Sequence, residues 1–136
     1  MSGFSLTLFD SRGVEYFEQV GQFVGADADG SFGILPGHVG MVALLRYGLA
    51  RFRDQAGVWR YLALPGGVLR FSENRMTLTA VRYFLGDDPD AICELLAAEM
   101  ARIDSEVHRA RATLTEIERS LLRRLAELSN RVAGGR

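Results

Sequence analysis

A β-sandwich followed by an α-helical hairpin is the fold class that the sequence predicts, divided as residues 1–86 and 87–136. Three observations predict it. Up to Leu85, apolar residues come in short alternating runs broken by Gly, Pro, Asp or Asn. Gly86-Asp-Asp-Pro89 then changes the character of the chain. From Asp90 to Ala133 there is neither Gly nor Pro, and apolar residues recur at helical spacing. Many short strands with close turns imply two sheets packed face to face, an antiparallel sandwich or barrel. A long run free of breakers implies helix.

Taken in order, Phe4 to Phe9 alternates, with Phe4, Leu6 and Leu8 on one face and Ser5 and Thr7 on the other, the pattern of a half-buried strand. Ser11-Arg-Gly13 is a turn, and Val14 to Val24 resumes extended structure rich in aromatic and β-branched residues. Gly25-Ala-Asp-Ala-Asp-Gly30 is a small polar loop. Further strands are expected at Met41 to Tyr47, Leu49 to Arg53, Val58 to Leu64, Val68 to Phe71 and Arg75 to Leu85. The turns between them are Gly48, Asp54-Gln-Ala-Gly57, Pro65-Gly-Gly67 and Ser72-Glu-Asn74.

Gly30-Ser-Phe-Gly-Ile-Leu-Pro-Gly-His38 stands out within the first region. Its apolar residues, Phe32, Ile34 and Leu35, follow no helical period. Glycine permits positive φ and proline fixes φ, so this backbone path is specified more tightly than an ordinary loop. A short β segment ending in a shaped corner is the direct reading.

In the second region Asp88 is a natural N-cap, Pro89 suits the first helical position, and Asp90 complements the helix dipole. Ile92, Leu96, Met100, Ile103, Val107, Ala110, Leu114, Ile117, Leu121, Leu125, Leu128 and Val132 fall mostly at alternating steps of four and three, a helical seam. Glu99 with Arg102, Glu106 with Arg109, Glu116 with Arg119, and Glu127 with Arg131 are spaced as ion pairs. Thr113-Leu-Thr-Glu116 has the capping-box pattern and sets the start of a second helix. A hairpin folded near Ala110 to Thr113 is therefore expected, with the unbroken seam keeping an extended form close in energy. Gly134-Gly-Arg136 is expected to fray.

Composition excludes much. With 48% hydrophobic and 24% charged residues the chain has the make-up of a soluble globular protein. A net charge of −1 gives no electrostatic case for nucleic acid or an anionic membrane surface. No apolar run is long enough to span a bilayer. The start Met1-Ser-Gly-Phe-Ser has no signal-peptide pattern, and one cysteine, Cys93, suits a reducing compartment. All 16 basic residues are Arg, which removes Schiff-base lysines and Gly-Lys-Ser/Thr phosphate loops. An EF-hand starting at Asp27 fails because Phe32 and His38 occupy the positions that need Gly and Glu. His38 has no catalytic or metal-ligating company in sequence and reads as a structural or interface histidine. His108 reads as solvated or paired with Asp104. Trp59 and Tyr61 share a strand face and read as core or interface packing. No catalytic, cofactor or metal residues are assigned.

Gly30 to His38 resembles the Gly-x-Phe/Leu-Gly-x-x-Pro-Gly-His signature of the epsilon subunit of bacterial F-type ATP synthases. The apolar run Met41 to Leu45, the Leu64-Pro-Gly-Gly-Val68 turn and the charged helical C-terminus agree with the resemblance, which covers nearly the whole chain. It implies a flattened β-sandwich and a two-helix element in a non-catalytic central-stalk subunit. That subunit binds the gamma subunit and the c-ring, couples ion-driven rotation to ATP synthesis, and lies at the cytoplasmic face of the bacterial inner membrane without a span of its own. By position, Ser31 matches the ring-facing turn residue and His38 a residue beside gamma. The partner-binding set expected from the corner is Ser31, Phe32, Ile34, Leu35, Pro36, Gly37 and His38. In family members whose helices extend and suppress ATP hydrolysis, the arm meets an acidic segment of the catalytic beta subunit. Arg119, Arg123 and Arg124 are the residues here that would do so. Some members bind ATP through Ile/Leu-Asp-x-x-Arg-Ala. Here Ile103-Asp104 is followed by Val107-His108 where Arg-Ala should stand, so no cofactor is expected. His38-Val-Gly40 replaces the common His-Ala-Pro, as in a divergent second-copy, sodium-driven type of member. The residues alone also allow a free-standing cytosolic adaptor that docks through a sandwich and a coiled-coil-like hairpin.

Overall fold

The computed structural model describes residues 3–134, with side chains described as far as residue 131. Met1-Ser2, the Val132 seam position and Gly135-Arg136 of the expected frayed end lie outside that description. The elements are β1 (Phe4–Asp10), β2 (Gly13–Val20), β3 (Gln22–Asp27), β4 (Gly30–Ile34), β5 (Met41–Leu45), β6 (Gly48–Arg53), β7 (Trp59–Leu64), β8 (Gly67–Ser72), β9 (Arg75–Thr79), β10 (Phe84–Gly86) and α1 (Pro89–Gly134).

The strands form two five-stranded sheets, ordered β2-β1-β9-β8-β5 and β10-β7-β6-β3-β4. All pairs are antiparallel except β1 with β9, which run parallel from Ser5↔Arg75 to Phe9↔Thr79. The inner faces meet in a core that includes Phe4, Leu6, Leu8, Leu69, Phe71 and Leu78 from the first sheet and Phe23, Ile34, Phe52, Leu62 and Leu64 from the second. Phe4 packs edge-on against Phe71, with ring centroids 5.3 Å apart.

Three sequence expectations change. Val14 to Val24 is not one strand. Gln19 adopts a φ of 55°, the backbone turns, and the chain passes from β2 in one sheet to β3 in the other, where the Gly21 N–H donates to the Arg53 carbonyl. The expected loop at Gly25 is strand as far as Asp27, and the Asp27 carboxylate accepts the Asp29 N–H to close the turn. Arg75 to Leu85 likewise splits. Between β9 and β10 the chain again changes sheet, at a corner held by the nearly buried Asp10. Its carboxylate accepts the Arg12 and Tyr83 N–H groups and lies 3.7 Å from the Arg82 guanidinium.

The helical hairpin is corrected. The C-terminal region is one continuous helix of 46 residues. Nothing at Ala110 to Thr113 breaks it, and the Thr115 hydroxyl donates to the Arg111 carbonyl one turn back, so that threonine serves a helix interior. The start is as expected: the Asp88 carboxylate accepts the Asp90 and Ala91 N–H groups, capping the helix ahead of Pro89. Arg102 takes both neighbouring carboxylates, Glu99 at i−3 and Glu106 at i+4, so Glu106 does not partner Arg109.

Two compact units divide between Ala98 and Glu99. The first turns of α1 thus belong with the sandwich. Ile92 and Leu96 are buried there, as is Ala63, which points away from the sandwich core because its neighbours Leu62 and Leu64 point in. Gly86 beside Ala63's strand leaves room for this: a Cβ on Gly86 would come within 2.9 Å of the Ile92 side chain.

Candidate partner-binding site

The shaped corner is a tight turn. The His38 N–H donates to the Leu35 carbonyl, with Pro36 and Gly37 between and Gly37 at a φ of 84°, which fits a type II β-turn. The Gly37 N–H donates to the Asn74 side-chain oxygen at 2.6 Å, tying the corner to the β8–β9 turn. The His38 ring stands edge-on to Phe71, and its Nδ1 lies 2.7 Å from the Val39 carbonyl. Those contacts orient the ring at a part-exposed corner.

Leu35, Pro36, Gly37 and His38 are therefore brought together. Leu35 is exposed, and so is Val39 beyond the turn. Phe32 is half-buried against the core. Ile34 is a correction: it is wholly buried as a core residue, because β4 alternates and its register opposite Phe23 turns Ile34 inward. Ser31 lies at the opposite end of β4 from the corner, exposed and paired with Ala26. Arg119, Arg123 and Arg124 lie in the second compact unit, exposed on α1, with no ion pair among the described residues.

The larger feature lies on the outer face of the β2-β1-β9-β8-β5 sheet. The registers Phe9↔Val14, Phe9↔Thr79, Val68↔Thr79 and Leu44↔Val68 align one outward residue from every strand: Val14, Phe9, Thr79, Val68 and Leu44. Val14 is 60% exposed and Leu44 70%. The next row is Tyr16, Thr7, Thr77, Arg70 and Val42, with Tyr16 and Val42 also exposed. Five strands at about 4.8 Å spacing make this face roughly 20 Å wide. The first row is apolar at four of its five positions, with Thr79 at its centre, and exposed apolar patches on a sheet face are a common feature of protein contacts. Sequence reasoning missed Phe9, Val14, Val42, Leu44 and Val68. The signal was present in Met41 to Leu45, an apolar run without alternation, as expected of a strand covered on both faces.

The other sheet's outer face is built differently. The Arg51 guanidinium lies 4.7 Å from the Trp59 ring centroid and that of Arg53 5.7 Å, so two cations lie over Trp59, which is half-buried.

The family described as "ATP synthase, Delta/Epsilon chain, beta-sandwich domain" matches residues 4–85, more than half of the chain. The chain is 33% identical over 109 residues to "ATP synthase epsilon chain 2" of Cereibacter sphaeroides, covering 79% of this chain and 75% of that one. It is 37% identical over 106 residues to "ATP synthase epsilon chain" of Symbiobacterium thermophilum, covering 78% and 74%. Among solved structures, a chain of the Euglena gracilis mitochondrial ATP synthase, OSCP/F1/c-ring, is similar at a TM-score of 0.57 and 21% identity, over 72% of this chain and 62% of that one. A chain of the Tetrahymena thermophila mitochondrial ATP synthase, central stalk/c-ring, has a TM-score of 0.52 and 15% identity, over 59% and 64%. This chain thus spans a little under two thirds of either structural neighbour, and at those identities the likeness is one of fold. With the family matched across the sandwich and relatives above 30% identity over three quarters of their length, the chain belongs to the epsilon-chain family of F-type ATP synthases, as a non-catalytic subunit of the central stalk.

Proposed function

We propose that this rotor subunit docks onto a gamma-type subunit through the outer face of the β2-β1-β9-β8-β5 sheet and the adjoining Leu35–His38 corner, and meets the polar loops of a c-ring at Ser31. The observation that carries the reading is the apolar row crossing all five strands, from Val14 to Leu44. The corner joins that sheet at the β8–β9 turn through the Gly37 bond to Asn74, and leaves Leu35 and Val39 exposed. Ser31 at the opposite end of β4 supports a second, separate contact. One structural neighbour belongs to a central stalk/c-ring assembly and the other to an OSCP/F1/c-ring assembly, which fits a subunit held next to a c-ring. Among the described residues no helix is long and apolar enough to cross a membrane, so attachment at the cytoplasmic face of a bacterial inner membrane would run through these partners.

α1 is assigned no nucleotide. Val107 and His108 stand where the ATP-binding members of the family carry Arg and Ala. Its Arg119, Arg123 and Arg124 are assigned to an acidic segment of the catalytic beta subunit.

The docking face is tested by Leu44→Arg, a substitution at an exposed position that leaves the core intact. Capture of the cognate gamma subunit should weaken at least about tenfold, because a charge would be desolvated within an apolar contact. Parental affinity in a variant with unchanged circular dichroism would sink the reading.

A further inference from the structure

The docking face is not uniform. Below the apolar row, toward the β8–β9 turn, it becomes basic and hydroxylated. Arg70 on β8 faces Thr77, and Arg75 on β9 faces Ser72 and Ser5. The two arginines are diagonal neighbours on the outer face, within reach of one shared anionic group or of two adjacent ones. Together with Ser72, Thr77 and Glu73 they line a shallow hollow of about 250 Å³. Neither guanidinium has an ion pair or side-chain hydrogen bond among the described residues; Glu73 lines the same hollow and bridges neither. Within the sandwich Arg60 is paired with Asp54 and Arg82 with Asp10, whereas Arg70 and Arg75, which share one hollow, are not.

We propose that Arg70 and Arg75 form the polar half of a two-part docking face and select a partner segment that carries carboxylates beside an apolar ridge. The proposal rests on the gamma-type reading of that face and gives the chemistry of the surface it recognises. The apolar row from Val14 to Leu44 receives the ridge. Arg70 and Arg75 receive the carboxylates, with the hydroxyls of Ser5, Ser72 and Thr77 as further donors. Arginine's planar fork suits carboxylate oxygens in pairs. A charge pair at the rim of an apolar contact fixes register and speeds encounter more than it deepens affinity. The continuity of the basic corner with a flat apolar face favours a protein segment over a lipid headgroup.

The test is titration of the full-length chain against the cognate gamma subunit at low and high salt. The variants are Arg70→Glu/Arg75→Glu, Arg70→Ser/Arg75→Ser and Leu44→Arg, each with circular dichroism as a fold control. The double glutamate variant should bind at least about tenfold more weakly at low salt, through a slower association. The double serine variant should bind with a weaker dependence on salt than the parent. Parental affinity and salt dependence in both, with Leu44→Arg still disruptive, would overturn the acidic-segment proposal and leave the docking face standing. Loss of effect in all three would remove both. Arginine-dependent binding to vesicles of anionic lipid, with gamma affinity unchanged, would also overturn the proposal.

Discussion

Gly37 sits at a φ of 84°, and no heavy atom lies within 4 Å of the place a Cβ would take. The cost of replacing it is therefore conformational and not steric. A β-branched residue held there is strained by about 1–3 kcal/mol, and a turn that relaxes away loses the Gly37 N–H bond to Asn74. Gly37→Val should lower stability by that order in urea denaturation and weaken gamma capture, whereas Gly37→Asn, which tolerates positive φ, should do so less. Asp54 makes the other residue-scale prediction. Its carboxylate accepts the Ala56 and Val58 N–H groups, each at 2.9 Å, and the Arg60 Nε at 3.2 Å. The Val58 bond above all holds its pKa below the ordinary 3.8. A depressed carboxylate pKa stabilises the fold above the unfolded value, and that contribution is lost as pH falls through the folded value. Asp54→Ala should thus cost about 1–2 kcal/mol at neutral pH, and the gap to the parent should narrow as pH falls below 3.8 and through the lower folded value.

At the scale of elements, the sandwich was legible because nearly every strand announced itself by alternation and every turn by Gly, Asp or Asn. The sheet crossings at Gly21 and at residues 80–83 were not legible. They depend on a bulge at Gln19 and on Asp10 reaching a segment far along the chain, and neither leaves a periodic trace in the sequence. The parallel pairing of β1 with β9 was hidden for the same reason, since register across 70 residues is a tertiary fact. Within the site, the corner was legible from Pro36 and Gly37. Its extension over the sheet was masked because Phe9 and Val68, read singly, look like ordinary strand residues. The division between Ala98 and Glu99 makes a further prediction. Ile92 and Leu96 are buried with the sandwich, and burial of each stabilises by about 1.5–3 kcal/mol. A fragment ending at Ala98 should melt as cooperatively as the full chain. One ending at Asp87 should lose several kcal/mol, and equal midpoints for the two fragments in urea would show that the first turns of α1 contribute nothing.

For the whole molecule, the arm beyond Ala98 poses the energetic question. Val107, Leu114, Ile117, Leu121, Leu125 and Leu128 are all exposed along α1. Helices gain most of their stability from packing an apolar face, and exposed ion pairs such as Arg102 with Glu106 add only a few tenths of a kcal/mol. A seam left bare over that length is completed by a partner or by the chain folding on itself, and the two outcomes compete for the same residues. Arg119 and Arg123, one turn apart, share a side of the helix, and Arg124 lies next to Arg123. None has a partner among the described residues, so the cluster is free to meet an acidic surface. If the arm inhibits, replacing Arg119, Arg123 and Arg124 with Ala should raise ATP hydrolysis by the assembled complex several-fold while assembly, read by co-purification of gamma, stays intact. Removing everything after Thr113 should raise it at least as much, since the apolar seam goes with the arginines. Parental hydrolysis in both variants would mean that the seam packs for structure alone. A rise on truncation only would assign the restraint to Leu114, Ile117 and Leu121 and leave the arginines as a solvated face.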